Sequence, residues 1–226
     1  MTLGITVLAC NISNNIIKRF KYYVEQNKPK KIDYQIEIVN DKKECIVIKD
    51  NKEFMCRSKG LNIGIKRLVE KDCDVIVCTD IDMMIPPNLL QYIYDVLNKV
   101  NNVFIWVPCR NINFTKFKKY KDWNKLLNLS MRSVGKGSFN AANINTWYKL
   151  GGWNEKLYGY GGADDDLHIR AKHLGIKMEV IKDFPLMHIN HPSRYRNQQN
   201  RIGGNGPNMK IAKQMIQNND FPQWLK

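Results

Sequence analysis

The stretch that most restricts what this chain can fold into runs from Cys73 to Pro87, CDVIVCTDIDMMIPP. Val75, Ile76, Val77 and Cys78 form a short apolar run without polar alternation, the pattern of a strand buried on both faces in a mostly parallel sheet. The run ends in two carboxylates, Asp80 and Asp82, and then in Pro86-Pro87, which cannot continue a strand ladder. In open α/β sheets the ligand crevice lies beyond the carboxyl ends of the strands. Alternate residues of a strand face the same side, which pairs Asp80 with Asp82 and turns Ile81 back to the core. Hard oxygen donors paired this way suit Mg²⁺ or Mn²⁺, ions that keep several waters and take substrate phosphates at their remaining positions. A solvated Asp-rich turn is the alternative reading of any D-x-D tripeptide. Its place at the end of a buried strand favours a metal-bridged nucleotide diphosphate.

The surrounding chain repeats the strand and helix pattern. Ile5 to Ala9 reads as a first buried strand, followed by the loop Cys10-Asn11-Ile12-Ser13. A helix with Ile16, Ile17, Phe20 and Tyr23 on one face follows, capped by Ser13 or Asn14 and ended by Pro29. Tyr34 to Val39 reads as the second strand of a βαβ unit. Asp41, just beyond it, is either a turn former or a contact to the base or ribose of a nucleotide. Cys45 to Ile48 predicts a small extra strand. Arg57-Ser58-Lys59-Gly60-Leu61-Asn62-Ile63-Gly64 leads into a helix with Ile65, Leu68 and Val69 on one face. Arg57 is either an ordinary surface residue or, through its planar fork, a phosphate ligand. Leu89 to Leu97 predicts a helix capped by Asn88, and Val103 to Val107 a strand. From Asn111 to Lys136 lysines interleave with Phe114, Phe117, Tyr120 and Trp123. That segment is either a basic amphipathic surface helix or a stacking platform for bases or sugars.

At 226 residues, 43% hydrophobic and 25% charged, the chain suits one globular domain. Its net charge of +15 points to polyanionic partners: nucleic acid, anionic lipid, or phosphorylated and acidic-sugar substrates. The lysines are spread along the chain, however, and a generally basic surface is the alternative. The cysteines, Cys10, Cys45, Cys56, Cys73, Cys78 and Cys109, contain no C-x-x-C pair and fall mainly in apolar runs, so neither a zinc site nor a disulfide framework is expected. No secretory leader or run of 18 apolar residues is present. The expectation is a soluble, cytoplasmic protein in a reducing compartment.

A second informative stretch spans Gly151 to Arg170, GGWNEKLYGYGGADDDLHIR. Its glycines give backbone freedom or close approach to a ligand, and Trp153, Tyr158 and Tyr160 offer flat faces of the kind that pack on sugar rings. Asp164, Asp165 and Asp166 then open a helix. The helix dipole favours acids in a first turn and accounts for one or two of them. A carboxylate here is also placed to take a proton from an incoming hydroxyl, as general-base catalysis requires.

Together, Asp80-Ile81-Asp82, Gly151-Gly152-Trp153 and Gly159-Tyr160-Gly161-Gly162-Ala163-Asp164-Asp165-Asp166 with Arg170 resemble the signature of A-type glycosyltransferases. They are most similar to the β-1,4-galactosyltransferases and related polysaccharide synthases, in an order covering about residues 3 to 192. The resemblance implies an α/β nucleotide-diphospho-sugar transferase fold with a mostly parallel central sheet flanked by helices. It also implies one domain over 1–226, with a nucleotide-sugar half (1–108), an acceptor and catalytic half (109–192), and a closing loop and C-terminal helix (193–226).

By the same resemblance Asp82 is a metal ligand, Asp80 lies near the ribose or metal, and Asp164 is the catalytic base. Asp165 partners an acceptor hydroxyl. His188 and His191, three apart in Met187-His188-Ile189-Asn190-His191, complete the metal site. Donor contacts are expected from Ala9, Asn11, Asp41, Arg57, Asn62, Asp80 and Ile81, and acceptor contacts from Trp153, Tyr160, Gly161, Gly162 and Asp165. Tyr160 stands where the family has Trp, and Ala163 where it has Glu, which bears on the acceptor. Arg194 or Arg196 is read as neutralising the leaving diphosphate when the loop closes.

The expectation is therefore a Mn²⁺- or Mg²⁺-dependent transferase moving a sugar from a UDP-sugar to a hydroxyl of a glycan, glycoprotein or glycolipid acceptor, with inversion by direct displacement. Specific nucleic-acid binding is not expected; association with an anionic surface through the positive charge is. The alternatives are a retaining transferase on the same fold and a non-catalytic module for polyanions or glycans. A nucleotidyltransferase gives no role to Trp153, Tyr160 and Asp164.

Overall fold

Apolar β-branched runs and amphipathic helices alternate through the first half of the chain, and each run becomes a strand between two helical layers. The computed structural model describes residues 2–9, 12, 14–40, 42–119, 122–132, 139–159, 161–190, 206–221 and 223. In chain order these give β1 (Thr2–Leu8), α1 (Asn14–Gln26), β2 (Asp33–Val39), α2 (Lys42–Cys45), β3 (Ile46–Lys49), β4 (Lys52–Met55) and α3 (Arg57–Val69). There follow β5 (Cys73–Asp80), β6 (Met83–Met84), α4 (Leu89–Leu97), β7 (Val103–Trp106), β8 (Cys109–Asn113), α5 (Phe114–Lys119) and α6 (Trp123–Leu129). The rest comprises β9 (Met131–Arg132), β10 (Phe139–Asn143), α7 (Ile144–Leu150), α8 (Ala163–His173), β11 (Lys177–Val180), β12 (Leu186–Asn190) and α9 (Pro207–Gln217).

The main sheet has the order β11-β7-β10-β5-β1-β2. β1 is parallel to both β2 and β5, and β11 is parallel to β7, while β10 runs antiparallel to β5 and β7. The alternating faces of β5 account for its unbroken apolar run. Val75 and Val77 face one core with Phe20 and Val24 of α1 and Leu90 and Ile93 of α4. Ile76 and Cys78 face the other, with Leu61 and Ile65 of α3, Trp147 of α7 and Leu167 of α8.

α3 lies unusually close to β1. A Cβ on Gly60 would sit 2.4 Å from Leu8 Cδ1, and one on Gly64 would sit 1.8 Å from Thr6 Oγ1. Only hydrogen at these positions lets the helix settle on the strand, and this approach carries Arg57, the first residue of α3, to the carboxyl end of the sheet.

A smaller sheet, β6-β12-β8-β9, extends beyond that end. Met84, Ile112, Phe117, Leu126, Met187 and Ile189 make its core, with Tyr23 and Trp123 packed against it. This corrects the expectation for residues 111–136: the described residues 111–119 and 122–132 contain the end of β8, α5, α6 and β9, and Phe117 is core. Two further expectations are corrected. Asn88 precedes α4 in a left-handed conformation (φ 65°) and makes no side-chain cap bond. Cys45, buried at the end of α2, is disulfide-bonded, whereas Cys56, Cys73, Cys78 and Cys109 are buried thiols outside any disulfide. Disulfide pairing depends on proximity in the fold, which sequence spacing does not carry. Among the described residues no helix is long and apolar enough to cross a membrane.

Candidate active site

The parallel register sets Leu8 of β1 beside Asp80, the last residue of β5. From α3, the Arg57 side chain reaches across this end: Nε donates to Asp80 Oδ1 at 2.8 Å and a terminal nitrogen donates to Asp164 Oδ1 at 3.0 Å. One guanidinium thus joins the first acid of the D-x-D to the first acid of α8. The guanidinium lies over the Trp153 ring, 4.7 Å from its centroid, a cation–π geometry that also keeps the fork in one plane. Burial lowers the pKa of Arg57, but Asp80 and Asp164 outweigh it and the net shift is upward. Burial pushes the Asp80 carboxyl up; Arg57 opposes that rise and Asp82 adds to it.

Asp82 lies two residues on, where the short β6 pairs with β12. His188 is opposite Met83, and the Ile189 N–H donates to the Asp82 carbonyl at 3.1 Å. This pairing brings His188 Nε2 to 3.1 Å from Asp82 Oδ2. On the far side of the ring, Nδ1 is 2.8 Å from Asn111 Oδ1, on the neighbouring strand β8. An amide oxygen only accepts, so Nδ1 carries the proton, and Nε2 faces the carboxylate either as a second N–H donor or, in a neutral ring, as a lone pair. In the neutral form the lone pair and the carboxylate can share a cation, and imidazole nitrogen with carboxylate oxygen is a donor set that Mn²⁺ accepts. Asn111 supplies the outer hydrogen bond that metal-binding histidines generally need. These residues fit a divalent ion. Among the described residues no third His, Cys, Asp or Glu joins such a group; His191 lies outside them.

The aspartate triplet divides by environment. Asp166 is fully buried and paired with Arg170, one turn on, at 2.7 Å, and Asn154 donates to its other oxygen at 3.2 Å. Its role is structural, and so is that of Arg170, which also donates to the Leu150 carbonyl. Asp164 faces Arg57, and Asp165 is partly exposed beside it. Gly161 and Gly162 adopt φ of 98° and 87°, conformations that glycine alone enters without strain, and Gly162 caps α8.

Several expected contacts fall elsewhere. Trp153, read as an acceptor platform, is 0% exposed: its indole N–H points to Cys78 Sγ at 3.5 Å, and its ring lies against Trp147 and beneath Arg57. No sugar reaches either face. Asn62, read as a donor contact, is also fully buried and clamps the Trp153 backbone, donating to its carbonyl at 2.9 Å and accepting from its N–H at 2.8 Å. The side chains of Ala9 and Ile81 belong to the core, which leaves them main-chain contacts. Asn11, Asp41, Tyr160, Arg194 and Arg196 lie outside the described residues. The sequence reading missed Asn111, whose role depends on the register between β8 and β12; no local signal marks it.

A family model described as the N-terminal domain of galactosyltransferase matches residues 136–197, which include the glycine loop, the aspartate triplet and His188. No curated protein matches the chain. Among solved structures, the catalytic domain of Drosophila β1,4-galactosyltransferase 7 in complex with xylobiose is similar at 13% identity and TM-score 0.57, over 94% of this chain and 79% of that one. A mutant of the Drosophila enzyme, in complex with manganese, UDP-Gal and xylobiose, is similar at 12% identity and TM-score 0.57, over 94% and 80%. GalNAc-T7 with UDP, GalNAc and Mn²⁺ is similar at 11% identity and TM-score 0.64, over 95% of this chain and 48% of that one, so the chain spans about half its length. The chain has the A-type glycosyltransferase fold expected from its sequence, with a central mixed sheet between helical layers.

Proposed function

We propose that the protein is a metal-dependent glycosyltransferase that moves a sugar from a UDP-sugar to a hydroxyl of a glycan acceptor, inverting by direct displacement. The observation that carries this reading is the Arg57 bridge, which joins Asp80 and Asp164 although they lie on separate elements. The match to a galactosyltransferase family model and the UDP- and manganese-bound neighbours support it.

Asp82 and His188 would hold the ion, with Asn111 fixing the imidazole. When bound, the ion supplies positive charge to the leaving diphosphate. Asp164 uses the carboxylate oxygen turned away from Arg57 to take the acceptor hydroxyl's proton. The acceptor oxygen then bonds to the anomeric carbon as the bond to UDP breaks. Asp165 orients the acceptor by accepting from a second hydroxyl. Asp80, held by Arg57, keeps the donor side of the cleft negative and ordered. Asn11, Asp41, Arg57 and the backbone at Ala9 and Ile81 are proposed to contact the donor, and Tyr160, Gly161 and Gly162 the acceptor.

The experiment is a screen of UDP-galactose, UDP-N-acetylgalactosamine, UDP-glucose and UDP-N-acetylglucosamine for UDP release with Mn²⁺ and with chelator. Release from at least one, abolished by chelator, is expected, with an inverted anomer by NMR when an acceptor is supplied. Absence of release from all four contradicts the reading. The charge of +15 favours a second reading, a non-catalytic module for acidic glycans or an anionic surface. That reading predicts salt-sensitive heparin binding without UDP release.

A further inference from the structure

The loop from Gly151 to Gly162, which delivers Asp164 to the cleft, is held from two sides. On one side, Asn62 of α3 fastens Trp153, and the Gly159 N–H donates to the Met55 carbonyl at 2.8 Å. On the other stands Asn208, the second residue of α9, 2% exposed. Its side-chain nitrogen donates to the carbonyls of Tyr158 at 3.0 Å and Gly161 at 2.8 Å. Both neighbours are acceptors, so the amide has only one workable orientation. Packing at this point is close: a Cβ on Gly162 would lie 2.9 Å from Asn208 Cβ.

α9 is fastened in turn. Ala212 and Met215 are buried, Asn154 approaches Met215 Sδ at 3.2 Å, and Lys156 pairs with Asp220 at 2.9 Å. The Gly162 carbonyl accepts the Asp166 N–H at 2.9 Å and so starts α8. A shift of Gly161–Gly162 therefore moves the first turn of α8, and Asp164 with it. Nothing in the span matched by the family model, 136–197, includes α9.

We propose that Asn208 is a positioning residue: through the Tyr158 and Gly161 carbonyls it fixes the loop that aims Asp164, so the C-terminal helix belongs to the catalytic apparatus. The kinetic part of this inference rests on the glycosyltransferase reading; the structural part does not.

The test uses the full chain with Asn208→Asp, which keeps the shape and removes both donors, and Asn208→Ala in case the first does not fold. Hydrogen exchange should accelerate at least roughly tenfold in residues 155–163 and stay unchanged in β1 and β5, the effect of losing buried hydrogen bonds to the loop. UDP affinity in Mn²⁺, by calorimetry, should stay within about twofold, while kcat for UDP-sugar hydrolysis falls at least roughly tenfold at unchanged donor KM. Lys177→Ala, which removes an exposed ion pair to Glu179 on β11 and touches neither the loop nor α9, should leave kcat unaltered. Unchanged exchange in 155–163 overturns the proposal, as does a parallel loss of UDP affinity and kcat. If the wild type releases no UDP from any UDP-sugar, the functional reading fails while the exchange data still decide whether Asn208 holds the loop.

Discussion

At the scale of single residues, Arg57 carries more of the site than its place among ordinary arginines in the sequence suggests. Its fork answers two carboxylates and its face covers Trp153. Because the three groups are only partly shielded from water, Arg57→Ala should destabilise the protein by about 1–3 kcal/mol, less than a fully buried pair. Arg57→Lys, a point charge without the fork, should recover part of the stability and little of the activity; urea denaturation and UDP-release assays separate the two. The buried thiols give a second expectation. Burial pushes Cys78 up to about 12 and Cys56 and Cys73 up to about 11, which holds them as inert thiols. Maleimide should label none of the three in the native protein at neutral pH, and all of them in denaturant. The acids were legible in sequence because paired carboxylates at a strand end and a triplet after a glycine loop have few other uses. Asn111 and Asn208 were not, because a lone asparagine shows its partner only once the chain is folded. Trp153 was misread, since an aromatic beside glycines looks the same whether it faces a sugar or an arginine.

At the scale of elements, the approach of α3 to β1 sets the position of Arg57. Gly64→Ala should cost at least about 1–3 kcal/mol by overpacking against Thr6, and should displace Arg57 as well. Gly175→Ala is the control. Its φ is +65° and nothing lies within 4 Å of a Cβ there, so only left-handed strain, about 1–2 kcal/mol, applies. Thermal melts of both variants, with UDP release as a second readout, test the difference. The buried strands and amphipathic helices of the first half were legible because their patterns are long and regular. The smaller sheet was not: its strands have two to five residues and mix Arg110, Asn111 and His188 with apolar neighbours, so no period emerges.

At the scale of the whole molecule, the fold brings acids from distant segments to the carboxyl end of the main sheet and gives them different environments. Asp82 meets an imidazole, and Asp164 meets a guanidinium. We assign them different work on that basis, the first holding the ion and the leaving group, the second receiving a proton. The most direct test is steady-state UDP-sugar hydrolysis in Mn²⁺, resolved into kcat and donor KM for the wild type, Asp82→Asn and Asp164→Asn. Asp164→Asn should lower kcat by roughly 10²–10⁴ at near-normal donor KM, while Asp82→Asn should raise the donor KM and the Mn²⁺ requirement. Near-normal turnover by Asp164→Asn, or the same rise in donor KM in both variants, would contradict this assignment.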